Sequence, residues 1–299
     1  MAEVNVIKTP DMGIVNGIDF VNSFERDLTE LRELLGLAKP ISLAQGNAIN
    51  LYKYVVTRPT DPDAAVGLVP EGDDIPLTHV KADLDRTLNL DIRKYRKAVT
   101  LEEVQRVGYE RASNASTRAV LADIQGDIKD LFFSLFEDSP VALDPVTNLQ
   151  EGVASAWGEI KDRFGNNGDV VVFINPKDAG KYLGTSAIEN GQSVGFGLTL
   201  LGGFTETDII VTNGVPQGSY YATSKDNLVI AHIDVNGNTR QMFHSLPHYT
   251  DDTGLIAYVL EPNTTNATEQ AMIYSGILFY PEVVNGVLKG TIEEAVAGV

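Results

Sequence analysis

An alternation beginning at Val80 leaves this chain few ways to fold. Val80, Ala82, Leu84, Leu88, Leu90 and Ile92 are apolar; Lys81, Asp83, Asp85, Thr87, Asn89, Asp91 and Arg93 between them are polar. Arg86 is the one exception on the apolar side. Period two over about thirteen residues predicts one strand of roughly 43 Å at ~3.3 Å per residue, well beyond the usual length. Residues 49–57, rich in Tyr and Val, are its expected partner. Between the two, residues 58–76 hold four prolines and five acids, too polar for a core. The expectation is a long hairpin with an acidic tip. A lone hairpin is marginal in water, so it must lie on its own domain or on a neighbouring copy.

Thr100-Leu101-Glu102-Glu103 then reads as a capping box, with the Thr100 hydroxyl taking the Glu103 amide and the carboxylate reaching back. No proline follows until Pro140, and Val120, Ile124, Ile128, Leu131 and Leu135 form an apolar stripe. A single helix over 101–137 is predicted, about 55 Å long at 1.5 Å per residue, with Gly126 as a possible bend. Upstream, Phe20, Phe24, Leu28, Leu31 and Leu35 predict one amphipathic helix with Asp19 as N-cap, ended by Gly36 and Pro40.

Downstream the pattern is compact α/β. Thr147 with Gln150 suggests a second capping box ahead of Leu149, Val153, Ala156, Trp157, Ile160 and Phe164. Residues 170–174 are unbroken apolar, a buried strand, and Asn175-Pro176 caps a short helix ending near Gly184. Further strands are expected at 208–212, 220–223, 228–233, 255–260 and 271–281, with 263–270 as a polar loop.

The chain has 299 residues, no cysteine and a formal net charge of −18. So acidic a chain does not hold nucleic acid along a broad basic face. Lack of cysteine removes disulfides, thiolate metal sites and thiol nucleophiles. The acidic N-terminus and the shortness of the longest apolar run predict a soluble protein that stays where it is made, with no membrane partner. Charge is uneven: residues 78–118 carry nine bases and six acids, whereas 182–299 carry three bases and twelve acids. Such a chain can complement a copy of itself.

Enzymatic signatures are weak. His244-x-x-x-His248 with Asp251 and Asp252 is the best constellation for a metal, but Pro247 interrupts it and the flanks read as strand or loop. His79 and His232 read as structural. Gly195 to Leu200 lacks the third glycine of a dinucleotide fingerprint, and neither a Gly-Lys-Ser/Thr run nor a Gly-x-Ser-x-Gly elbow occurs. The basic run Arg93-Lys94-Tyr95-Arg96-Lys97, followed at once by Glu102 and Glu103, reads as an interface or salt-bridge site more readily than a DNA contact.

The order of these elements resembles the major capsid proteins of tailed bacteriophages, the Hong Kong 97-type fold. The resemblance rests on Val69-Pro70-Glu71-Gly72 with Ile75-Pro76 at the hairpin return, and on Lys94-Tyr95-Arg96-Lys97-Ala98-Val99-Thr100-Leu101-Glu102-Glu103 entering the strut. It rests also on Val171-Val172-Phe173-Ile174-Asn175-Pro176 with Asp178 and Leu183, and on the closing Leu278-Phe279-Tyr280-Pro281-Glu282.

The resemblance implies an α+β, Hong Kong 97-like capsid fold. It has an N-terminal arm (1–47), a long β-hairpin extended loop (48–99), a peripheral domain with a long spine helix (100–145 and 240–278), and an axial α/β domain (146–239 and 279–299). It implies a head protein of the virion, made in the bacterial host cytoplasm. Hexamers and pentamers of this chain would close an icosahedral shell around double-stranded DNA that is enclosed without sequence-specific binding. A separate scaffolding protein and a portal are implied partners, and no catalysis, cofactor or metal. Expected assembly contacts are Glu71, Asp73, Asp74 and Lys81 on the hairpin, and Arg93, Lys94, Arg96, Lys97, Glu102 and Glu103 at the strut entrance. Asn263, Thr264 and Glu269 complete them, on the loop expected to meet its mates at three-fold positions. Lys81 is the only lysine near the hairpin tip, and no Lys–Asn cross-link is expected. Two alternatives remain: an encapsulin-like compartment that binds cargo peptides, and a metal-dependent enzyme using His244, His248 and Asp251.

Overall fold

The alternation that opens at Val80 does form a strand, but a shorter one that changes face part-way. In the computed structural model, which describes residues 34–43, 48–165, 168–185, 207–251 and 253–293, the chain divides into two units, Gln45–Asp91 and the remainder. After β1 (Lys39–Leu43) comes the smaller unit, where β2 (Ala48–Thr57) pairs antiparallel with β3 (His79–Asn89). Between them Asp61 caps α1 (Pro62–Ala65), its Oδ1 accepting the Asp63 and Ala64 amides at 3.0 Å.

The β2–β3 register slips between Leu51 and Tyr52: Leu51 faces Arg86, whereas Tyr52 faces Leu84, which leaves Asp85 as an extra residue. A bulge of this kind moves every later side chain to the other face. Towards the tip one face is apolar, with Tyr52, Tyr54 and Val56 opposite Leu84, Ala82 and Val80. Towards the root Ile49, Leu51 and Leu88 occupy the opposite face. Arg86 remains the polar member of an apolar face: opposite Leu51, it shares the root side with Ile49 and Leu88, at the point where the stripe crosses over.

The predicted single strand also ends early. Residues 90–91 separate β3 from β4 (Ile92–Thr100), which leaves the hairpin and pairs with β12 in the larger unit. From Thr100 the predicted strut is three pieces: α2 (Leu101–Val107), a π-helical turn at Glu110–Ala115, and α3 (Ser116–Glu137). Gly108, at φ +87°, breaks the helix, whereas Gly126 lies inside α3 without interrupting it. Half of the expected capping box forms: Thr100 Oγ1 accepts the Glu103 amide at 3.3 Å, but the Glu103 carboxylate turns to Arg106 at 2.7 and 2.9 Å.

The remaining elements are β5 (Val141–Ala142), α4 (Leu149–Phe164), β6 (Val170–Ile174), α5 (Pro176–Thr185), β7 (Thr207–Val211), β8 (Ser219–Ser224) and β9 (Leu228–Ile233). Then come α6 (Asn238–Met242), β10 (His248–Thr250), β11 (Ile256–Asn263), β12 (Thr268–Pro281) and β13 (Val287–Thr291). The second capping box is shifted by one residue from the expected frame. Asn148 is the N-cap of α4 and accepts the Glu151 amide at 2.9 Å, while the Glu151 carboxylate takes the Thr147 amide at 3.1 Å. Asn175 caps α5 as expected, its Oδ1 accepting the Lys177 amide at 2.9 Å. Residues 263–270 are not a loop: β11 and β12 extend inward until Asn263 pairs with Thr268, leaving a tight turn.

Five strands form one sheet in the order β5-β13-β8-β6-β7. The other six form β1-β9-β12-β11-β10 with β4 also on β12. β12 joins the two parts of this second sheet: residues 268–276 run between β11 and β4, and 277–281 pair with β9. α3 lies over both sheets. Its Ile124, Ile128, Phe132, Phe133 and Phe136 pack with Val171, Phe173 and Tyr221 of one and with Ile230, Ile273 and Phe279 of the other. α4 covers the opposite face of the five-stranded sheet, where Val153, Ala156 and Ile160 meet Val170, Val172 and Tyr220. All five residues of β6 are buried because both faces of their sheet are covered. Gly290 permits this packing: a Cβ there would come 2.1 Å from the Tyr220 ring. The helix predicted around Phe20 and the glycines at 195–197 lie outside the described residues.

Candidate assembly surfaces

β4 alternates its side chains across the edge of the six-stranded sheet. Tyr95 turns towards α3, where its hydroxyl donates to Asp127 at 3.2 Å. Two residues on, Lys97 has the same parity and is buried. Its ammonium donates to the Ser113 carbonyl at 2.7 Å and to Ser116 Oγ at 2.6 Å. The π turn thus forms around a lysine: Ser113 gives its carbonyl to Lys97 and also to the Ser116 and Thr117 hydroxyls, at 2.9 Å each. Glu269, on β12, closes the cluster by accepting from the Tyr109 hydroxyl at 2.7 Å and from the Ser113 hydroxyl.

Burial pushes the Lys97 ammonium down from 10.5 to about 8, against the pull of the Glu269 carboxylate. The folded chain therefore holds this proton more weakly than the unfolded one. Below about pH 8 the charged group costs stability, and the cost is relieved as pH rises towards 10.5. The neutral amine keeps two N–H donors for Ser113 and Ser116. The stability gap between the parent chain and Lys97→Met is thus expected to move in the parent's favour between pH ~7.5 and ~10. Urea midpoints at the two pH values read it; a gap that stays constant contradicts the assignment.

The expected assembly residues separate into two sets. Arg93, Lys94, Arg96 and Glu102 are exposed, as are Glu71, Asp73 and Asp74 near the hairpin tip and Thr264 at the β11–β12 turn. Lys81 pairs with Asp83 at 2.6 Å on the hairpin surface. Arg96 donates to Gln270 Oε1 at 2.7 Å, and Arg93 adjoins Tyr95. Asn263 is half-buried and its Oδ1 accepts the Thr265 amide at 3.0 Å. By contrast Lys97 and Glu103 are buried inside the chain, and Glu269 is bonded to the π turn. Tyr109, Ser113 and Ser116 were not anticipated. The parity of Lys97 with Tyr95 and Val99 was the available signal that it points inward and needs buried partners.

The histidine constellation does not assemble. His244 Nδ1 lies 3.1 Å from the Gln241 carbonyl, and His248 Nε2 lies 3.0 Å from the Tyr274 hydroxyl. Burial, aided by Arg240, pushes the His248 pKa down. Asp251 accepts from Gln125 at 3.1 Å, from Thr253 at 2.6 Å and from the Ile256 amide at 3.1 Å. Among the described residues no three His, Asp or Glu side chains form a metal-holding group, and Asp252 lies outside them. His79 is exposed opposite Thr57, and His232 Nδ1 lies 3.0 Å from the Ile233 carbonyl.

No protein-family model and no curated protein matches this chain by sequence. Solved structures do match by shape. The capsid of Myoviridae phage XM1 aligns with a TM-score of 0.62 at 10% identity, over 88% of this chain and 92% of that one. The mature capsid of bacteriophage PhiM1 aligns with a TM-score of 0.59 at 10% identity, over 87% and 86%. This is the Hong Kong 97-type capsid fold. A virus-like particle from Pyrococcus furiosus shares it, with a TM-score of 0.54 at 11% identity over 92% of this chain and all of that one. On this fold β2, β3 and their connection form the extended hairpin, and α3 is the long spine. No helix among the described residues is long and apolar enough to cross a membrane.

Proposed function

We propose that this protein is the major capsid (head) protein of a tailed bacteriophage, and that it self-assembles into an icosahedral shell enclosing double-stranded DNA. The observation that carries the reading, beside the fold, is the hairpin face. Tyr52, Tyr54, Val56, Val80 and Leu84 are each more than half exposed on a two-stranded ribbon. A contiguous apolar patch on so slight a support marks a surface that another molecule covers. In a shell that molecule is the adjacent copy, and burying the ribbon there interlocks neighbours without disulfides.

In this reading residues 1–47 are an arm, and 100–145 with 240–278 the peripheral domain. Residues 146–239 with 279–299 form the axial domain, around which hexamers and pentamers close. The chain is made in the bacterial cytoplasm, assembles with a separate scaffolding protein and a portal, and ends in the virion. A net charge of −18 suits a container whose wall does not grip its DNA. Expressed alone or with its scaffolding protein, the chain is expected to give closed particles by negative-stain microscopy and fast sedimentation. Small oligomers under both conditions overturn the proposal. The likeness to the Pyrococcus furiosus particle favours, as a second reading, an encapsulin-like compartment. Neighbouring genes separate the two: portal and terminase for a phage, a cargo enzyme for a compartment.

A further inference from the structure

The charge on the hairpin tip and the charge on β4 are opposite, exposed and carried by different units of the chain. The connection between β2 and β3 holds Asp61, Asp63, Glu71, Asp73 and Asp74, and after Arg58 at its root it has no base. Asp61 is used as a helix cap, but Glu71, Asp73 and Asp74 are exposed and have no ion-pair partner among the described residues. Ile75 and Leu77 beside them are 80% and 93% exposed, so the tip is both acidic and greasy. That composition fits an interface better than solvent.

β4 offers the complement. Over 268–276 β12 has β11 on one side and β4 on the other, and among the described residues no strand lies beyond β4. This open edge presents Arg93, Lys94 and Arg96, all exposed, beside Ile92, which is 45% exposed. Charges on an edge strand deter random strand pairing and leave the edge to a partner that matches them. Copies of a chain with net charge −18 repel one another over most of their surface. The positive run is therefore where the acidic segment of a second copy meets attraction instead.

Taking the shell reading as its basis, we infer that the acidic tip of one copy, around Glu71, Asp73 and Asp74, docks on the basic β4 edge of another copy, at Arg93, Lys94 and Arg96. The contact sets which copies interlock and in what register. It also makes assembly sensitive to salt, because rim charges are screened within about 8 Å at physiological ionic strength.

The absence of native cysteine makes the test clean. Chains bearing only Asp73→Cys and chains bearing only Lys94→Cys are mixed, allowed to assemble and oxidised. A disulfide-linked dimer of the two variants is expected in clear excess over a control pairing of Asp73→Cys with Asp162→Cys, a site exposed on α4. In parallel, Glu71→Lys, Asp73→Lys and Asp74→Lys together are expected to lower particle yield about tenfold, a ratio equivalent to ~1.4 kcal/mol. Adding Arg93→Glu, Lys94→Glu and Arg96→Glu to the same chain should restore it. If parent chains form particles but the cross-link does not exceed the control, or the acid reversal is without effect, the docking is wrong and the shell stands. If the parent never forms particles, the shell reading falls, and the cross-link yield on the soluble protein still decides whether tip and edge meet.

Discussion

Phe132→Ala should lower the unfolding free energy of the subunit by about 3–5 kcal/mol, the range for truncating a fully buried aromatic side chain. Phe132 is 1% exposed and sits where three elements meet. Its ring lies 5.1 Å from Phe133 and 5.5 Å from Phe136 on α3, 5.6 Å from Phe173 on β6 and 5.2 Å from Phe279 on β12. Most of these contacts are edge-on, the geometry that aromatic quadrupoles favour. Removing the ring opens a cavity between the spine and both sheets, and so many stiff neighbours cannot collapse into it. Phe132→Leu keeps most of the volume and should cost less than half as much. Urea denaturation of unassembled subunits measures both. A loss below about 1 kcal/mol for Phe132→Ala would mean that the spine is not the joint between the sheets.

Trimming the hairpin should have the opposite profile, a large effect on assembly and little on the subunit. Asn50 and Thr87 face each other across the ladder, and the Thr87 hydroxyl donates to Asn50 Oδ1 at 2.8 Å. Replacing residues 51–86 by an Asn-Gly turn therefore shortens the ribbon without forcing its ends apart. The larger unit keeps both core clusters, which contain no residue from 51–86. Its melting temperature is expected to stay within a few degrees of the parent, since a change of ~1 kcal/mol moves a domain of this size by only about 2–4 °C. Closed particles should disappear, because the deletion removes the exposed apolar face and the acidic tip together. Trimmed subunits that still close into shells of normal size would show that the hairpin does not interlock neighbours.

Much of this architecture was legible from local chemistry. Val170 to Ile174 read as a buried strand because five consecutive apolar residues have no polar face to present. The pairing of residues 49–57 with the strand after Val80 followed from the alternation of the second and the Tyr- and Val-rich composition of the first. Asn175-Pro176 announced α5 by the geometry that proline imposes on a first helical turn. At Gly108 the reading slipped on a local break in the helix; elsewhere the cause was a partner outside the segment. The bulge at Asp85 keeps β2 and β3 in register by omitting one residue from the count, so a stripe that is continuous in sequence lies on two faces in space. Thr147 and Asn148 are both good caps, and only the docking of α4 on β6 and β8 selects the second.

The chain's own pattern determined which segments become helix or strand, where the core strands lie, and that a long acidic-tipped hairpin precedes a spine. These depend on contacts within a few residues and on burial of an apolar face. Only the tertiary structure decided that β4 leaves the hairpin to become a sheet edge, that β12 serves two sets of partners, and that Lys97 turns inward to draw a π turn out of the spine. Each of these depends on what lies across a ladder from a distant part of the chain, as with Thr100 opposite Thr268 and His232 opposite Ile277, or on a carbonyl that local helix geometry would otherwise claim. The same folding divides the basic run, burying Lys97 and leaving Arg93, Lys94 and Arg96 at an open edge.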